Sequence, residues 1–161
     1  MCIRDRAYLQ FFYSPLTNEL EFFGVDQRHE SDIEGLGRIP SEQQLKSKKV
    51  PSYNVIGNSP LVLRESLLDE VYTMGENFVD AAKRVVSPGM NGPFCIEGVY
   101  DENAKFTSFE FSARIVAGTN SYMDGSPYYS LVFNENMCMV KRIEREVKMA
   151  ESKNMLKEIT T

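Results

Sequence analysis

Two glutamates, Glu97 and Glu110, occupy positions where a half-buried β-hairpin would ordinarily carry apolar side chains. The stretch FCIEGVYDENAKFTSFEFSARIVAGTN, residues 94–120, predicts two strands joined by a tight polar turn at residues 101–104. The other long side chains near the two glutamates are mostly apolar or aromatic, so each glutamate is an exception within its own strand. A carboxylate in such a setting needs either solvent or a positively charged partner.

The pairing of the two strands decides whether the glutamates can act together. If Tyr100 lies opposite Lys105, Glu97 lies opposite Ser108, and Glu97 and Glu110 become diagonal neighbours on one face, with Cα atoms roughly 7–8 Å apart. Two like charges on one poorly solvated face repel each other, and Mg²⁺ would relieve that repulsion while keeping positions open for nucleotide phosphates. A solvated outer face with two ordinary glutamates is the alternative, and the spacing alone does not decide between them.

The segment that follows the second strand favours the metal hypothesis. Ser112 and Arg114 follow Glu110 at intervals of two residues, and the glycine-containing segment Gly118-Thr119-Asn120 comes next. Arg114 can pair with anionic oxygens, and a glycine lets the backbone approach a ligand closely. This arrangement indicates a site that binds phosphate and metal.

Composition excludes several other classes of function. The chain has 161 residues, enough for one domain, and its net charge of −5 argues against a nucleic-acid partner held by phosphate contacts. No apolar run approaches the length of a membrane span. His29 is the only histidine, which argues against histidine-centred metal sites and Ser-His-Asp triads. The three cysteines, Cys2, Cys95 and Cys138, are too few for a disulfide framework and indicate a reducing cytoplasm.

The remaining pattern predicts an α+β fold. Strands are expected at Tyr8–Tyr13 and Leu20–Arg28, followed by a long polar loop with one helical turn around Ser41–Leu45. The stretch YNVIGNSPLVLRESLL predicts two short extended pieces separated by a Gly-Asn-Ser-Pro turn. Strands and helices do not alternate regularly, so a parallel wound sheet is not expected.

Two amphipathic helices complete the prediction. The first begins after an N-cap at Ser66 and ends before Pro88, with an apolar stripe that includes Val71, Met74 and Phe78. The second covers roughly residues 137–152, and its buried stripe is expected to consist of the apolar residues Val140, Ile143, Val147 and Ala150.

Several stretches together resemble a known enzyme family. The Glu-x-Ser-x-Arg pattern of residues 110–114 is similar to the metal-binding end of ATP-grasp ligases. The stretches FFYSPLTNELEFFGVDQRHES, YNVIGNSPLVLRESLL, PGMNGPFCIE, FEFSARIVAGTNSYMDGSPY and RIEREVKMA resemble the formate-dependent 5-formaminoimidazole-4-carboxamide ribonucleotide (FAICAR) synthetases of archaeal-type purine biosynthesis. The similarity covers about residues 8–159 without a large gap.

This resemblance implies a fold, a reaction and a set of ligands. The fold implied is an ATP-grasp-type antiparallel sheet flanked by helices, with residues 7–161 forming its C-terminal portion. The reaction implied is ATP-dependent ligation of formate to the amine of 5-aminoimidazole-4-carboxamide ribonucleotide (AICAR), through formyl phosphate and with Mg²⁺ or Mn²⁺ as the metal. The resemblance also implies a homo-oligomer, for which the aromatic first hairpin could supply an interface.

The beginning of the chain is expected to differ from the rest. Residues 1–6, MCIRDR, show no periodicity and lead directly into the first strand, which suggests a non-native end, with a short natural tail as the alternative. The family has an N-terminal half with further substrate and adenine contacts that is not found in this sequence. We therefore expect the 161-residue chain to be inactive alone and to bind ATP weakly at best.

The resemblance assigns roles to individual residues. Glu97 and Glu110 correspond to the magnesium ligands, Glu30 to a nucleotide-contacting glutamate, and Asn58 to a contact with the aminoimidazole ribonucleotide. For Glu30 a surface charge in a loop is the alternative, and for Asn58 a turn residue before Ser-Pro.

The roles of the remaining site residues are inferred from their chemistry more than from the family resemblance. Arg114, Thr119 and Asn120 are expected beside phosphate or formate. Two alternatives to the whole functional hypothesis stay open, namely an ATP-grasp ligase with another pair of substrates and a non-catalytic nucleotide-binding or oligomerisation module.

Overall fold

A five-stranded antiparallel sheet forms the centre of the protein. The computed structural model of the chain describes residues 5–160. The strands are β1 (Asp5–Ser14), β2 (Glu19–Glu30), β3 (Val55–Leu61), β4 (Gly92–Tyr100) and β5 (Phe106–Ser112). Their order across the sheet is β3-β2-β1-β4-β5, and every neighbouring pair is antiparallel.

Helices cover both faces of this sheet. They are α1 (Ile33–Leu36), α2 (Ser41–Ser47), α3 (Leu68–Val85), α4 (Pro127–Phe133), α5 (Met139–Ser152) and α6 (Leu156–Ile159), with 3₁₀ segments at Glu65–Leu67 and Ala117–Tyr122. The predicted α+β class, an antiparallel sheet flanked by helices, is confirmed. Within the described residues, no helix has both the length and the apolar character that crossing a membrane requires.

The first hairpin lies in the middle of the sheet. β1 pairs with β2 on one side and with β4 on the other, so its side chains are buried on both faces. The aromatic residues of the hairpin, Phe11, Phe12, Phe22 and Phe23, all belong to the interior. They therefore stabilise the chain itself, and the hairpin does not present them as a subunit interface.

Helix α3 covers one face of the sheet. Its buried residues are Val71, Gly75 and Val79. A Cβ atom at Gly75 would lie 2.7 Å from a Leu20 methyl carbon and 2.8 Å from the Phe11 ring, so the glycine lets the helix pack closely on the hairpin. The prediction of an N-cap at Ser66 is wrong, because a 3₁₀ turn precedes the helix and no side chain caps it.

Helices α4 and α5 and the 117–122 segment cover the other face. The buried stripe of α5 consists of Met139, Arg142, Glu146 and Ala150. The predicted apolar stripe is therefore wrong in part, since Val140 is 70% exposed and Val147 is also exposed. The helix is rotated relative to that prediction because two charged residues, and not these valines, face the sheet.

An ion-pair network explains this rotation of α5. The Arg142 guanidinium donates to both oxygens of Glu21 on β2, at 2.7 and 2.8 Å, and to Glu146 at 2.8 Å. Ser14 donates from Oγ to the other oxygen of Glu146 at 2.6 Å, and the guanidinium lies 4.1 Å from the centre of the Phe12 ring. The buried charges of α5 are thus paired and hydrogen-bonded, as buried charges must be.

Strand β3 differs from its prediction. The Gly-Asn-Ser-Pro stretch continues through the strand and does not form a turn, and Pro60 pairs with Asp26. Because β3 is an edge strand, it is a position in a sheet where proline, which has no N–H to donate, is tolerated. Asn58 is accordingly a strand residue, and the alternative of a turn residue is wrong.

The expected non-native end falls mostly outside the structure. Residues 1–4 lie outside the described residues, and Asp5 and Arg6 belong to β1, where they pair with Tyr100 and Val99. The interpretation of residues 1–6 as a non-native end stays a prediction.

Candidate functional site

A row of polar side chains crosses four strands on the face opposite α3. Glu110 pairs with Glu97, Glu97 with Tyr8, and Tyr8 with Asp26. Residues that are direct partners in antiparallel strands point to the same face. Glu97 and Glu110 therefore share a face, as the sequence predicted, but as direct partners with Cα atoms roughly 4.5–5.5 Å apart.

A β-bulge produces this direct pairing. Tyr100 pairs with Phe106 and Gly98 with Ser108, whereas Glu97 pairs with Glu110, so Phe109 is an extra residue in β5. The predicted pairing of Tyr100 with Lys105, and of Glu97 with Ser108, is therefore wrong.

The turn and Gly98 make this register possible. The carboxylate of Asp101 accepts from the backbone N–H groups of Asn103 and Lys105 and holds a longer turn than the one expected. The Phe106 ring packs against Gly98, where a Cβ atom would lie only 2.3 Å from it.

Glu97 is a buried carboxylate and Glu110 is an exposed one. Glu97 is 3% exposed, and its oxygens lie 3.6 Å from the Arg28 Nη2 atom and 3.1 Å from the Ser112 hydroxyl, which donates to it. Burial raises the pKa of Glu97 above its ordinary value, while Arg28 and the hydrogen bond from Ser112 oppose part of the rise and Glu110 adds to it. A cation placed between the two carboxylates would stabilise the charged form of both.

Arg28 is a functional candidate that the sequence analysis missed. Its guanidinium lies 4.1 Å from the centre of the Tyr8 ring, a cation–π contact, and within reach of Glu97. A signal for it exists in the sequence, because Asp26, Arg28 and Glu30 alternate within β2 and so place three charged side chains on one face of the strand.

Asp26, also missed, lies at the centre of a second polar cluster. It is 1% exposed, and its two oxygens accept hydrogen bonds from Asn58 Nδ2 at 2.6 Å and from Gln10 Nε2 at 2.5 Å. Burial raises the pKa of Asp26, and these two hydrogen bonds oppose the rise. Asn58 thus lies on the same side of the sheet as the paired glutamates, with strands β2 and β1 between its own strand and that of Glu97.

The segment after β5 packs directly onto Asp26. A Cβ atom at Gly118 would lie 2.1 to 2.2 Å from the carboxyl atoms of Asp26, so only glycine fits at this position. Thr119 is buried, and its hydroxyl donates to the backbone oxygen of Val116 at 2.6 Å, while Asn120 is exposed.

Arg114 and Glu30 lie at the margins of the polar face. Arg114 is exposed and donates to the backbone oxygen of Ile115 at 2.9 Å, which leaves most of its guanidinium donors available. Glu30 is buried near the end of β2 and forms an ion pair with Arg6 at 2.7 Å. The alternative of a loop surface charge at Glu30 is therefore wrong.

The pair of Glu97 and Glu110 suits a metal ion that takes its remaining ligands from a bound nucleotide and water. No group of three or more histidine, cysteine, aspartate or glutamate side chains is arranged around a common metal position in the described part of the chain. Magnesium in nucleotide enzymes commonly takes one or two carboxylates and completes its shell with phosphates and water. One buried and one exposed glutamate on a shared face match that incomplete set of ligands.

These features define the class of protein, an α+β domain with a carboxylate pair and an arginine on one face of a helix-covered antiparallel sheet. The chain belongs to the family described as a domain of unknown function (DUF1297), whose model matches residues 2–161.

Relatives of known name agree with the resemblance seen in the sequence. The chain is 81% identical over 155 residues to the 5-formaminoimidazole-4-carboxamide-1-(beta)-D-ribofuranosyl 5'-monophosphate synthetase of Nitrosopumilus maritimus, covering 96% of this chain and 46% of the relative. It is 49% identical over 152 residues to the protein of the same name from Archaeoglobus fulgidus, covering 94% of this chain and 42% of the relative. The chain spans about half the length of the curated relatives that it matches.

A solved structure shares the fold. The crystal structure of an IMP biosynthesis protein PurP from Thermococcus kodakaraensis has a TM-score of 0.80 and 33% sequence identity to the chain, and the match covers 98% of this chain and 49% of that one. The fold expected from the family resemblance is thus confirmed.

Proposed function

We propose that this chain supplies part of the active site of an ATP- and formate-dependent ligase that converts AICAR to FAICAR in purine biosynthesis. The observation that carries the proposal is the direct pairing of Glu97 with Glu110, beside Arg28, on a face that also bears the Asp26–Asn58 pair. The names of relatives up to 81% identical to the chain support the same reaction.

In this proposal Glu97 and Glu110 hold Mg²⁺, or Mn²⁺ in its place. The metal would supply charge neutralisation for the transferred phosphoryl group. Glu97 contributes a buried oxygen held by Ser112 and Arg28, and Glu110 contributes one on the solvent side. The buried member fixes the position of the site, and the exposed member lets the metal enter with its phosphate ligands.

The remaining candidates bind and orient the substrates. Asn58 contacts the aminoimidazole ribonucleotide, and Glu30 contacts the ATP ribose as a hydrogen-bond acceptor. Arg114, Thr119 and Asn120 lie on the phosphate and formate side, where the free guanidinium donors of Arg114 pair with anionic oxygens.

Chemistry of this kind depends on positioning rather than on a protein nucleophile. Formate attacks the γ-phosphorus of ATP to give formyl phosphate and ADP, and the exocyclic amine of AICAR then displaces phosphate from the formyl carbon. Both steps gain from fixed charges around the transferring oxygens. The buried Cys95 is unsuited to act as a nucleophile, because burial raises the pKa of its thiol far above neutrality.

The cellular setting belongs to the same proposal. Cys95 and Cys138 are free thiols, which supports a reducing cytoplasm. The partners proposed are small molecules, with no nucleic acid or membrane, and a homo-oligomer is proposed for the complete enzyme.

A hybrid enzyme tests the proposal. The N-terminal part of the Nitrosopumilus maritimus relative, joined to residues 7–161 of this chain, should form FAICAR from AICAR, formate and ATP. Replacement Glu110→Gln should lower turnover at least about 100-fold without lowering the thermal midpoint, because the metal loses a charged ligand while the fold loses only a like-charge repulsion.

A matched change provides the control for this test. Glu102→Gln, in the exposed turn between β4 and β5, should leave turnover unchanged. A hybrid that binds ATP but forms no FAICAR would refute the proposed reaction. A Glu110→Gln variant that retains activity within a few-fold would refute the metal role.

A further inference from the structure

The hydrogen bonds around Asp26 fix the orientation of a neighbouring amide. The two oxygens of Asp26 each accept one hydrogen bond from a side-chain amide, Asn58 on one side and Gln10 on the other. An ionised carboxylate can only accept, so the Nδ2 end of Asn58 must face Asp26. The Oδ1 end of Asn58 is consequently directed away from Asp26.

The end of the amide that is directed away from Asp26 is therefore an acceptor. An asparagine at a binding site could present either its NH₂ group or its carbonyl oxygen, and the two ends favour opposite kinds of ligand group. Among the described residues, no other side chain donates a hydrogen bond to Asn58 Oδ1. A ligand that reaches this oxygen must bring an N–H or O–H donor.

The carboxylate of Asp26 is itself held firmly. It is 1% exposed, lies between β1 and β3, and contacts the backbone at Gly118 so closely that a Cβ atom there would collide with it. A group fixed from several elements can orient its neighbour with little freedom, which is what a preorganised binding site requires.

We propose that Asp26 is a positioning residue that holds the Asn58 amide with its carbonyl oxygen toward the substrate, so that the site selects an N–H donor of the aminoimidazole carboxamide. This inference rests on the proposed function, because it takes Asn58 as the contact to that substrate. Asp26 itself touches no substrate, and its effect passes through Asn58.

The orientation can be measured in the 161-residue chain by NMR with ¹⁵N-labelled asparagine. A side-chain proton of Asn58 bonded to a carboxylate should resonate downfield of the amide protons of exposed residues such as Asn134. Asp26→Asn should move the Asn58 signal toward theirs, and Asp80→Asn, an exposed change on α3, should not. Asn58 signals that do not move in Asp26→Asn would overturn the proposal.

The kinetic consequence can be measured in the hybrid enzyme. An amide at position 26 can donate as well as accept, so Asp26→Asn releases the Asn58 orientation. It should raise KM for the aminoimidazole substrate at least about tenfold and change KM for ATP less than about twofold. In the exchanged pair Asp26→Asn with Asn58→Asp, position 58 again presents an acceptor, and at least about a third of the loss should be recovered.

The outcomes separate the two proposals. An unchanged KM for the aminoimidazole substrate, an equal rise in both KM values, or an exchanged pair worse than Asp26→Asn alone would each overturn the role of Asp26. A hybrid parent without FAICAR formation would instead refute the proposed function, while the NMR measurement still decides the orientation of Asn58.

Discussion

Glu97 is a buried carboxylate that also faces a second negative charge. It lies opposite Glu110 and near Asp26, and a single guanidinium, that of Arg28, lies 3.6 Å away. Burial raises its pKa in the folded chain above the ordinary value of 4.5. A raised pKa means that the folded state prefers the protonated form, so the stability that this group contributes is complete below about pH 4.5 and is lost as the pH rises through the folded pKa.

The first prediction concerns this pH dependence. Glu97→Gln should unfold at a higher temperature than the parent chain at pH 7.5, by about 2–4 °C if the gain is about 1 kcal/mol. The difference should shrink toward zero at pH 4, where the glutamate is protonated. Thermal unfolding of parent and variant, followed by circular dichroism at both pH values, measures this difference. A difference in midpoint that is smaller at pH 7.5 than at pH 4 would contradict the prediction.

Single residues of the candidate site differ in whether the pattern of their own strand reveals them. The sequence predicts that Glu97 and Glu110 share a face of the sheet, and the structure confirms this placement, while the roles assigned to them and to Asn58 stay predictions. Asp26 was missed because its partners come from β1, β3 and the 117–122 segment, which only the strand order brings together. Arg28 was missed although the alternation in β2 marks its face, because no single-strand pattern shows that Tyr8 and Glu97 flank it.

At the scale of elements, the bulge in β5 aligns the two glutamates. The sequence indicated a hairpin, but its register depended on one extra residue, and periodicity cannot show a bulge. The physical cause is the contact of Phe106 with Gly98 and the longer turn that Asp101 holds.

The second prediction tests the glycine at this bulge. A Cβ atom at Gly98 would lie 2.3 Å from the Phe106 ring and 2.5 Å from a backbone oxygen, so Gly98→Ala should lower the free energy of unfolding by about 1–3 kcal/mol. Gly57→Ala, beside the bulge of β3 and free of neighbours within 4 Å, is the matched control and should cost little. Urea unfolding compares the two, and equal losses would show that the close packing at Gly98 is unimportant.

The third prediction concerns the attachment of α5. Arg142→Ala leaves Glu21 and Glu146 without their cation in a buried setting, so it should destabilise the chain by about 3–5 kcal/mol. Arg145→Ala, on the same helix, removes an exposed pair with Glu135 at 3.4 Å and should cost at most about 1 kcal/mol. Chemical denaturation of both variants gives the comparison, and the prediction is wrong if the two losses are similar.

At the scale of the whole molecule, apolar side chains remain exposed at both edges of the sheet. Ile56 on β3 is 71% exposed, and Phe109 on β5 is 55% exposed. Edge strands with uncovered apolar residues are sites at which chains associate. The sequence analysis expected such a surface at the first hairpin, whereas the structure has it on the outer strands, because strand order cannot be derived from the order of segments along the chain.

The fourth prediction follows from these edges. The 161-residue chain should associate at tens of micromolar concentration, and Ile56→Lys with Phe109→Lys should shift its mass toward the 18.4 kDa of the monomer. Val85→Lys, at an exposed apolar position near the end of α3, is the control and should not. Sedimentation equilibrium measures the mass, and a parent chain that is monomeric throughout would contradict the prediction.

The pairing of Arg142 with Glu21 joins positions 121 residues apart, and this has a consequence for synthesis on the ribosome. The hairpin that carries Glu21 is synthesised before the helix that carries its counter-ion, with a separation of 121 residues between the two partners. Until then the hairpin has an unneutralised carboxylate and the bare Phe12 ring on that side. A nascent chain halted before residue 142 therefore keeps this face open to chaperones, and the emergence of α5 closes it.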